Sequence, residues 1–589
     1  MGTQSGDGRA SGRRGRRGAH RGTQRASHRG HRRGARRRRT PLTLTAVGLL
    51  LAAVCTTLVT AWAWRDTAPQ PQAVAQPRTA PSAVPHGGSG DETSGEEASA
   101  APVAAPEARS VHRGSAPGAA RKPEDTRTKG PAAAPAASAA SGPLPFDLPD
   151  RAALRAKGKL VFAHYFTPYP LSLDNEDPRG DYYARNYLNP DGERGKHSEY
   201  GGLLRDRPLP VEPKQGDWEL ANLRQEVRTA RDAGLDGFTL DILSLSGPNW
   251  ERSEKLLEAA RSVDSRFTVM LMPDMSSLRS VDAATLADAL ADLAESPAAH
   301  RLEDGRLVVS PFKAEAKSVG WWSDVLDRLR SRHGISTAFV PLFIDFGSQG
   351  EAFAPISHGF SDWGSRSYTG QDGPSGDARR AHALGKIWMQ PVSVQDARPN
   401  QGVYDEAGNT AALRATWERA IDSDADWVQL TTWNDYSEGT HFAPSVNNGH
   451  TYLDLTSYYL TRFKTGSWPK IVRDTLYLTS RTQFAGADPT GDQSKVMTLR
   501  ESSAKARDQV EVLAFLTAPA TVRTTAGSTT TARDLKPGVH PVLSPLRVGA
   551  VSADALRDGR RIASVELRKP VRGSVEVQDL QYHAATSGR

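Results

Sequence analysis

Two carboxylates stand three residues apart in Trp433-Asn434-Asp435-Tyr436-Ser437-Glu438-Gly439-Thr440-His441, among aromatic neighbours. They follow an apolar run, Asp426-Trp427-Val428-Gln429-Leu430-Thr431-Thr432, that reads as a buried strand. A carboxyl pair is the equipment for breaking a glycosidic bond. One group protonates the leaving oxygen, and the other activates water or assists the anomeric carbon. Aromatic rings offer apolar faces on which a pyranose can stack. The same nine residues also read as an acidic, aromatic strand-to-loop turn, so the surrounding elements must decide.

From Lys159 onward, short apolar runs alternate with segments of helical spacing. Candidate strands are Lys159–Phe166, Gly237–Leu243, Phe267–Asp274, Leu307–Phe312, Thr337–Asp345, Phe360–Ser367, Lys386–Val394 and Asp426–Trp433. Helical patterns cover Glu219–Ala233, Asn249–Val263, Ala283–Leu293, Trp321–Arg332, Ala378–Leu384 and Thr410–Ile421. Such alternation implies right-handed crossovers and a parallel sheet. Eight units over roughly 290 residues suit an α/β fold of the (β/α)8 TIM type. No Gly-rich dinucleotide turn follows the first strand, which argues against an open doubly wound sheet.

A barrel of this type builds its active site at the strand C-termini. The first strand ends in His164-Tyr165-Phe166, the second in Asp241, the third in Asp274 and the fifth in Asp345. The sixth ends in Trp363, the seventh in Gln390, and the eighth leads to Asp435 and Glu438. Asp435 and Glu438 are therefore the expected catalytic pair, with Glu438 as acid and Asp435 as base, and the reverse assignment open. Asp241 and Asp274 are expected to bond sugar hydroxyls or to raise the acid's pKa. His164, Tyr165, Asp345, Gln390, Trp433, Asn434, Tyr436 and His441 are candidate substrate contacts, each with a packing role as the alternative. The long polar segment Asp174–Pro213 reads as a loop over the mouth. Its Tyr182, Tyr183, Tyr187 and Tyr200 either line a sugar groove or pin the loop. No His-x-His or His-Glu-x-x-His spacing occurs, so neither metal nor cofactor is expected; a metal-dependent hydrolase built on His164 and His441 is the disfavoured alternative.

After Gly466 the pattern changes to alternating runs separated by Gly, Pro, Asp and Ser, with no helical period. It reads as an all-β sandwich of roughly 110 residues. With no aromatic row for sugar stacking, a packing role is expected.

The chain before residue 146 has a different character. Residues 1–40 hold fourteen Arg and one Asp, so this basic segment alone carries +13 of a formal +8, and the rest is mildly acidic. No nucleic-acid partner is implied. The uncharged residues 41–64 are long enough for a transmembrane or signal helix. A basic head before such a span points to cytoplasmic retention of the head and export of the chain beyond the span. The expected location is the cell membrane with the catalytic domain outside, or secretion if the span is cleaved. Residues 65–145 form an Ala/Pro-rich linker expected to be disordered. A catalytic domain over 146–466 and a sandwich over 467–589 complete the division. The single Cys, Cys55, lies in the apolar span and excludes an intrachain disulfide. A monomer is expected.

Val161-Phe162-Ala163-His164, Asp217-Trp218, Ala233-Gly234-Leu235-Asp236-Gly237-Phe238-Thr239-Leu240-Asp241 and Trp433-Asn434-Asp435-Tyr436 with Glu438 occur in that order. So do Phe515-Leu516-Thr517-Ala518-Pro519-Ala520-Thr521-Val522, Gly527-Ser528, Gly538-Val539 and Arg557-Asp558-Gly559. Together they resemble glycoside hydrolase family 71, the α-1,3-glucanases, from about Lys159 to near the C-terminus. The resemblance implies a (β/α)8 barrel, no metal, and endo-hydrolysis of an α-1,3-glucan polysaccharide with inversion. It places the acidic couple on Asp435 and Glu438. Ser437 and Gly439 depart from that family, which has Gly between Tyr and Glu and Ser after Glu. Asp241 stands where it typically has Asn. Glu438-Gly439-Thr440 is more similar to family 99, whose members cleave α-mannosides with retention. A retaining α-mannoside endo-hydrolase is therefore one alternative, and a surface-displayed, non-catalytic glycan-binding protein is another.

Overall fold

The computed structural model of the chain describes residues 142–589. The basic segment, the apolar span 41–64 and nearly all of the linker lie outside the described residues. Among the described residues no helix is long and apolar enough to cross a membrane.

The core follows from strands that bury both faces. On β1 (Leu160–Phe166) the period-two alternation sends Phe162 inward, to meet Met270, Val308, Ala338, Val340, Met389 and Trp427. Val161, Ala163 and Tyr165 face the other way, into the larger core between sheet and helices. The remaining strands of this sheet are β2 (Gly237–Ile242), β3 (Thr268–Pro273), β4 (Leu307–Val309), β5 (Thr337–Phe339), β6 (Leu342–Phe343), β7 (Gly359–Asp362), β8 (Ile387–Val392) and β11 (Trp427–Leu430). Their order is β5-β4-β3-β2-β1-β11-β8-β7-β6, and every pair is parallel.

The two edges, β5 and β6, are separated only by Val340-Pro341. Pro341 has no N–H to donate to a ladder, which divides what the sequence reads as one fifth strand. The sheet thus curls in the TIM-like manner until its edges are consecutive pieces of one segment. Seven of the eight candidate strands contain an observed one, and the remaining one, Phe360–Ser367, overlaps β7, which begins one residue earlier.

The six predicted helices appear at Trp218–Asp232, Pro248–Val263, Ala283–Ala294, Val319–His333, Gly376–Ala383 and Ala411–Asp422. Two longer helices were not expected from the sequence. Thr451–Thr465 is buried at nearly every position, so no polar face marks it. Phe346–Phe353 contains two glycines, which lower its helix propensity.

A hairpin of β9 (Asp396–Arg398) and β10 (Val403–Asp405) follows β8 and rises over the rim. The C-terminal region forms two four-stranded antiparallel sheets over an apolar core containing Leu476, Val512, Val522 and Val551. Its β12 (Thr475–Ser480) and β14 (Gln509–Leu516) pair in one sheet. Phe515 meets Tyr458 of the Thr451–Thr465 helix edge-on, with centroids 5.0 Å apart. Between β12 and β14 the chain crosses to the rim, where β13 (Thr498–Leu499) pairs with β10 as a third strand.

Candidate active site

Strand parity aims the inner residues of β1 and β2 at the C-terminal mouth. Phe166 lies beside Asp241 in the parallel register, and His164 is two residues back on the same face. His164 Nε2 stands 3.4 Å from Asp241 Oδ2, its Nδ1 is 3.3 Å from Met272 Sδ, and its ring meets Trp363 edge-on. His164, Asp241 and Trp363, with Phe166 and Phe312, line a small niche closed by Asp435 and Glu438.

The turn after β11 that carries Asp435 and Glu438 is built by short polar side chains. Asp435 N donates to Thr432 Oγ1 at 2.8 Å. Asp435 Oδ1 accepts from Ser437 Oγ at 2.7 Å, Ser437 N at 3.0 Å and Glu438 N at 3.1 Å. An Asx-type turn of this kind fixes both carboxyls on one side of the loop. Asn434 ties the turn to β1. Its Oδ1 accepts from Phe166 N at 2.8 Å, and its Nδ2 donates to Phe166 O and Tyr169 O at 3.0 and 2.8 Å.

The two carboxyls have different electrostatic settings. Burial pushes Asp435 above the usual carboxylate range, against the opposing pull of the Ser437 hydroxyl, the Glu438 N–H, Arg398 and His164. Glu438 Oε1 is 2.8 Å from Arg398 Nη1.

Beyond the niche the site opens into a chamber of about 330 Å³, which shares Phe312, Trp363 and Glu438 with it. Arg366, Asp396, Arg398 and Arg500 line this chamber and are absent from the expected site. They lie after β7, on the β9–β10 hairpin and just after β13, not at the strand ends where such residues are sought. Asp396 and Arg398 occupy alternate positions of one strand, a local signal that would have placed them on one face.

Several expected contacts point elsewhere. Tyr165 and Trp433 face the outer core, where Tyr165 OH donates to Glu226 Oε2 at 2.9 Å and Trp433 Nε1 to Glu226 Oε1 at 3.4 Å. Asp274 closes its own turn by accepting from Ser276 N at 2.7 Å. Asp345 is exposed and caps the Phe346–Phe353 helix through Ser348 N. Gln390 turns outward and accepts from Trp388 Nε1 at 2.8 Å. Asn434 is a clamp. Tyr436 stacks near His441 and packs with Phe166, Tyr169, Tyr183 and Tyr200. His441 Nε2 is bonded to Asp206 Oδ2 at 3.0 Å, away from His164, so the two histidines share no site. Tyr183 OH donates to Pro170 O, and Tyr200 pairs with His197. Neither they nor Tyr182 and Tyr187 line the niche or the chamber, so these tyrosines pin the loop.

Glu226, behind the catalytic turn, is pushed up by burial to about 7 from its ordinary 4.5. Its folded pKa lies above its unfolded one, so its protonated form favours the fold at low pH. That contribution is lost as the pH rises from about 4.5 to about 7. Glu226→Gln is expected to flatten the fall in melting temperature across this window, read by thermal melts at stepped pH. An unchanged slope would contradict a neutral, buried Glu226.

A curled parallel sheet with paired carboxyls at its C-terminal rim is the arrangement of a glycoside hydrolase. The family model for glycosyl hydrolase family 71 matches residues 213–585, and the chain belongs to that family. It is 24% identical over 262 residues to the ascus wall endo-1,3-alpha-glucanase of Schizosaccharomyces pombe, covering 40% of this chain and 58% of that one. The chain thus spans less than two thirds of that relative's length. It is 24% identical over 394 residues to a mutanase of Penicillium rubens, covering 62% of this chain and 84% of that one. Among solved structures it is similar to a family 99 endo-alpha-mannosidase from Bacteroides thetaiotaomicron, with 14% identity, a TM-score of 0.39, and coverage of 52% and 97% of the two chains.

Proposed function

We propose that the chain hydrolyses α-1,3-glucan internally, with inversion, outside the cytoplasm. The carrying observation is the Asp435–Glu438 pair, two buried carboxyls in one niche, the first raised by burial and the second in direct contact with Arg398. Family membership and the two relatives, named as a glucanase and a mutanase, support the substrate class. The basic head before an apolar span supports the location.

These settings favour the reverse of the first-expected roles. Asp435, raised by burial, holds the proton and delivers it to the glycosidic oxygen as the C1–O bond breaks. Glu438, paired with Arg398, takes a proton from the water that attacks C1 on the opposite face. One water is consumed, and the new hydroxyl carries the inverted configuration. Asp241, in reach of His164, bonds a sugar hydroxyl beside the reacting carbon. The chamber beyond Glu438 gives further sugars room along the chain, which suits internal cleavage.

Proton NMR of the first products from a soluble α-1,3-glucan oligosaccharide tests the mechanism. β-Anomers before mutarotation are expected. α-Anomers would replace inversion with a retaining route. Cleavage of an α-mannoside with retention would favour the family 99 reading that Glu438-Gly439-Thr440 raises.

A further inference from the structure

The chamber is where the C-terminal domain reaches the catalytic rim. The arm between β12 and β14 docks through β13, with Thr498 opposite Val403 and Leu499 opposite Tyr404. The next residue, Arg500, lines the chamber. Its Nε is 3.0 Å from Asp405 Oδ2, and its Nη2 is 3.8 Å from Asp396 Oδ1. Asp396 is buried and grips one edge of the Arg398 guanidinium, Nε at 2.8 Å and Nη2 at 2.6 Å. The remaining nitrogen of that fork, Nη1, meets Glu438 Oε1 at 2.8 Å. The backbone takes the same path, since Ala397 N donates to Glu438 O at 2.8 Å.

Charge therefore alternates from Asp405 through Arg500, Asp396 and Arg398 to Glu438. A planar guanidinium held along one edge has little freedom to leave the group on its other side. Asp396, Arg398 and Glu438 are buried while Asp405 and Arg500 are partly exposed, so a change of charge is felt along the chain, most strongly at its buried end.

We infer that Arg500 and Asp396 are positioning residues of the catalytic centre: the arm of the C-terminal domain locks Arg398 onto Glu438 and so sets the reactivity of that carboxylate. The inference rests on Glu438 being catalytic. It gives the C-terminal domain a part in the chemistry beyond packing. Other charged or titratable groups around Glu438 are Asp435 on its own loop, His164 on β1, Asp241 on β2, Lys313 after β4 and Arg366 after β7. None of them is altered in the test.

The test measures kcat and KM of the full chain against pH on a soluble α-1,3-glucan oligosaccharide, with a thermal melt for each variant. Arg500→Gln removes a positive charge, so Asp396 draws harder on Arg398 and Glu438 loses compensation. The acid limb of kcat should move to higher pH. Asp396→Asn removes a negative charge and leaves Arg398 to Glu438, so that limb should move to lower pH. Each variant should lower kcat about tenfold with KM little changed, as expected for a group supporting a reacting residue. Arg500→Lys should bring the limb back towards the wild-type position.

Opposite shifts are the signature that a merely structural role would not produce. Shifts in the same direction, no shift, or activity lost only in step with loss of folded protein would overturn the inference. Full activity in Glu438→Gln would overturn the catalytic reading and the inference together. An inactive Glu438→Gln beside an unshifted Arg500→Gln would overturn the inference alone.

Discussion

Asp435→Asn should lower kcat on α-1,3-glucan by about 10²–10⁴-fold, the usual worth of a positioned general acid. Glu438→Gln should lose as much, because Gln cannot accept the proton of the attacking water. The two variants should separate on a glycosyl fluoride of the same sugar, whose leaving group needs no proton. Asp435→Asn should recover most of its rate there, and Glu438→Gln should not. The difference arises from the buried, raised Asp435 and the Arg398-paired Glu438. Recovery in Glu438→Gln instead would restore the first-expected roles, with Glu438 as the acid. Wild-type rates in either variant would remove that residue from the chemistry.

The second large effect is on stability. Glu406, at the rim, and Arg481, after β12, are 0% and 1% exposed and lie 2.8 Å apart. Glu406 also accepts from Tyr582 OH at 2.6 Å, Gly408 N at 2.7 Å and Arg507 N at 2.9 Å. Arg481→Met fills the space but leaves the carboxylate buried without its cation. Breaking a buried pair from one side costs about 3–5 kcal/mol. A corresponding drop in the urea midpoint, at unchanged m-value, is the expected result. Adding Glu406→Gln to Arg481→Met should return part of the loss, because the stranded charge is then gone. A loss below about 1 kcal/mol would mean that water reaches Glu406 once Arg481 is removed.

The curled sheet and the turn that carries Asp435 and Glu438 were legible because both are local. Apolar runs of strand length mark the strands of the parallel sheet, though not the β9–β10 hairpin, and Asp435 and Glu438 stand within one turn of β11. The face each residue takes was harder to read. β1 is buried on both sides, so composition does not distinguish inward His164 from outward Tyr165; only counting parity from Phe162 does. Trp433 was attractive as a sugar platform, yet it packs against Phe238 in the outer core. Asp274 and Asp345 end strands as the site residues do, but short acidic side chains at such ends also close turns and cap helices, and these two do so. Arg398 and Arg500 reach Glu438's neighbourhood through the β9–β10 hairpin and through β13, from the arm between β12 and β14. No spacing along the chain encodes that meeting.

The most direct measurement is reducing-sugar release from insoluble α-1,3-glucan by the full chain and its Glu438→Gln variant, with α-1,6-mannan in parallel. The account predicts release from the glucan by the wild type, none from the mannan, and near-complete loss in the variant. Release from mannan alone, or binding to the glucan without release, would contradict it.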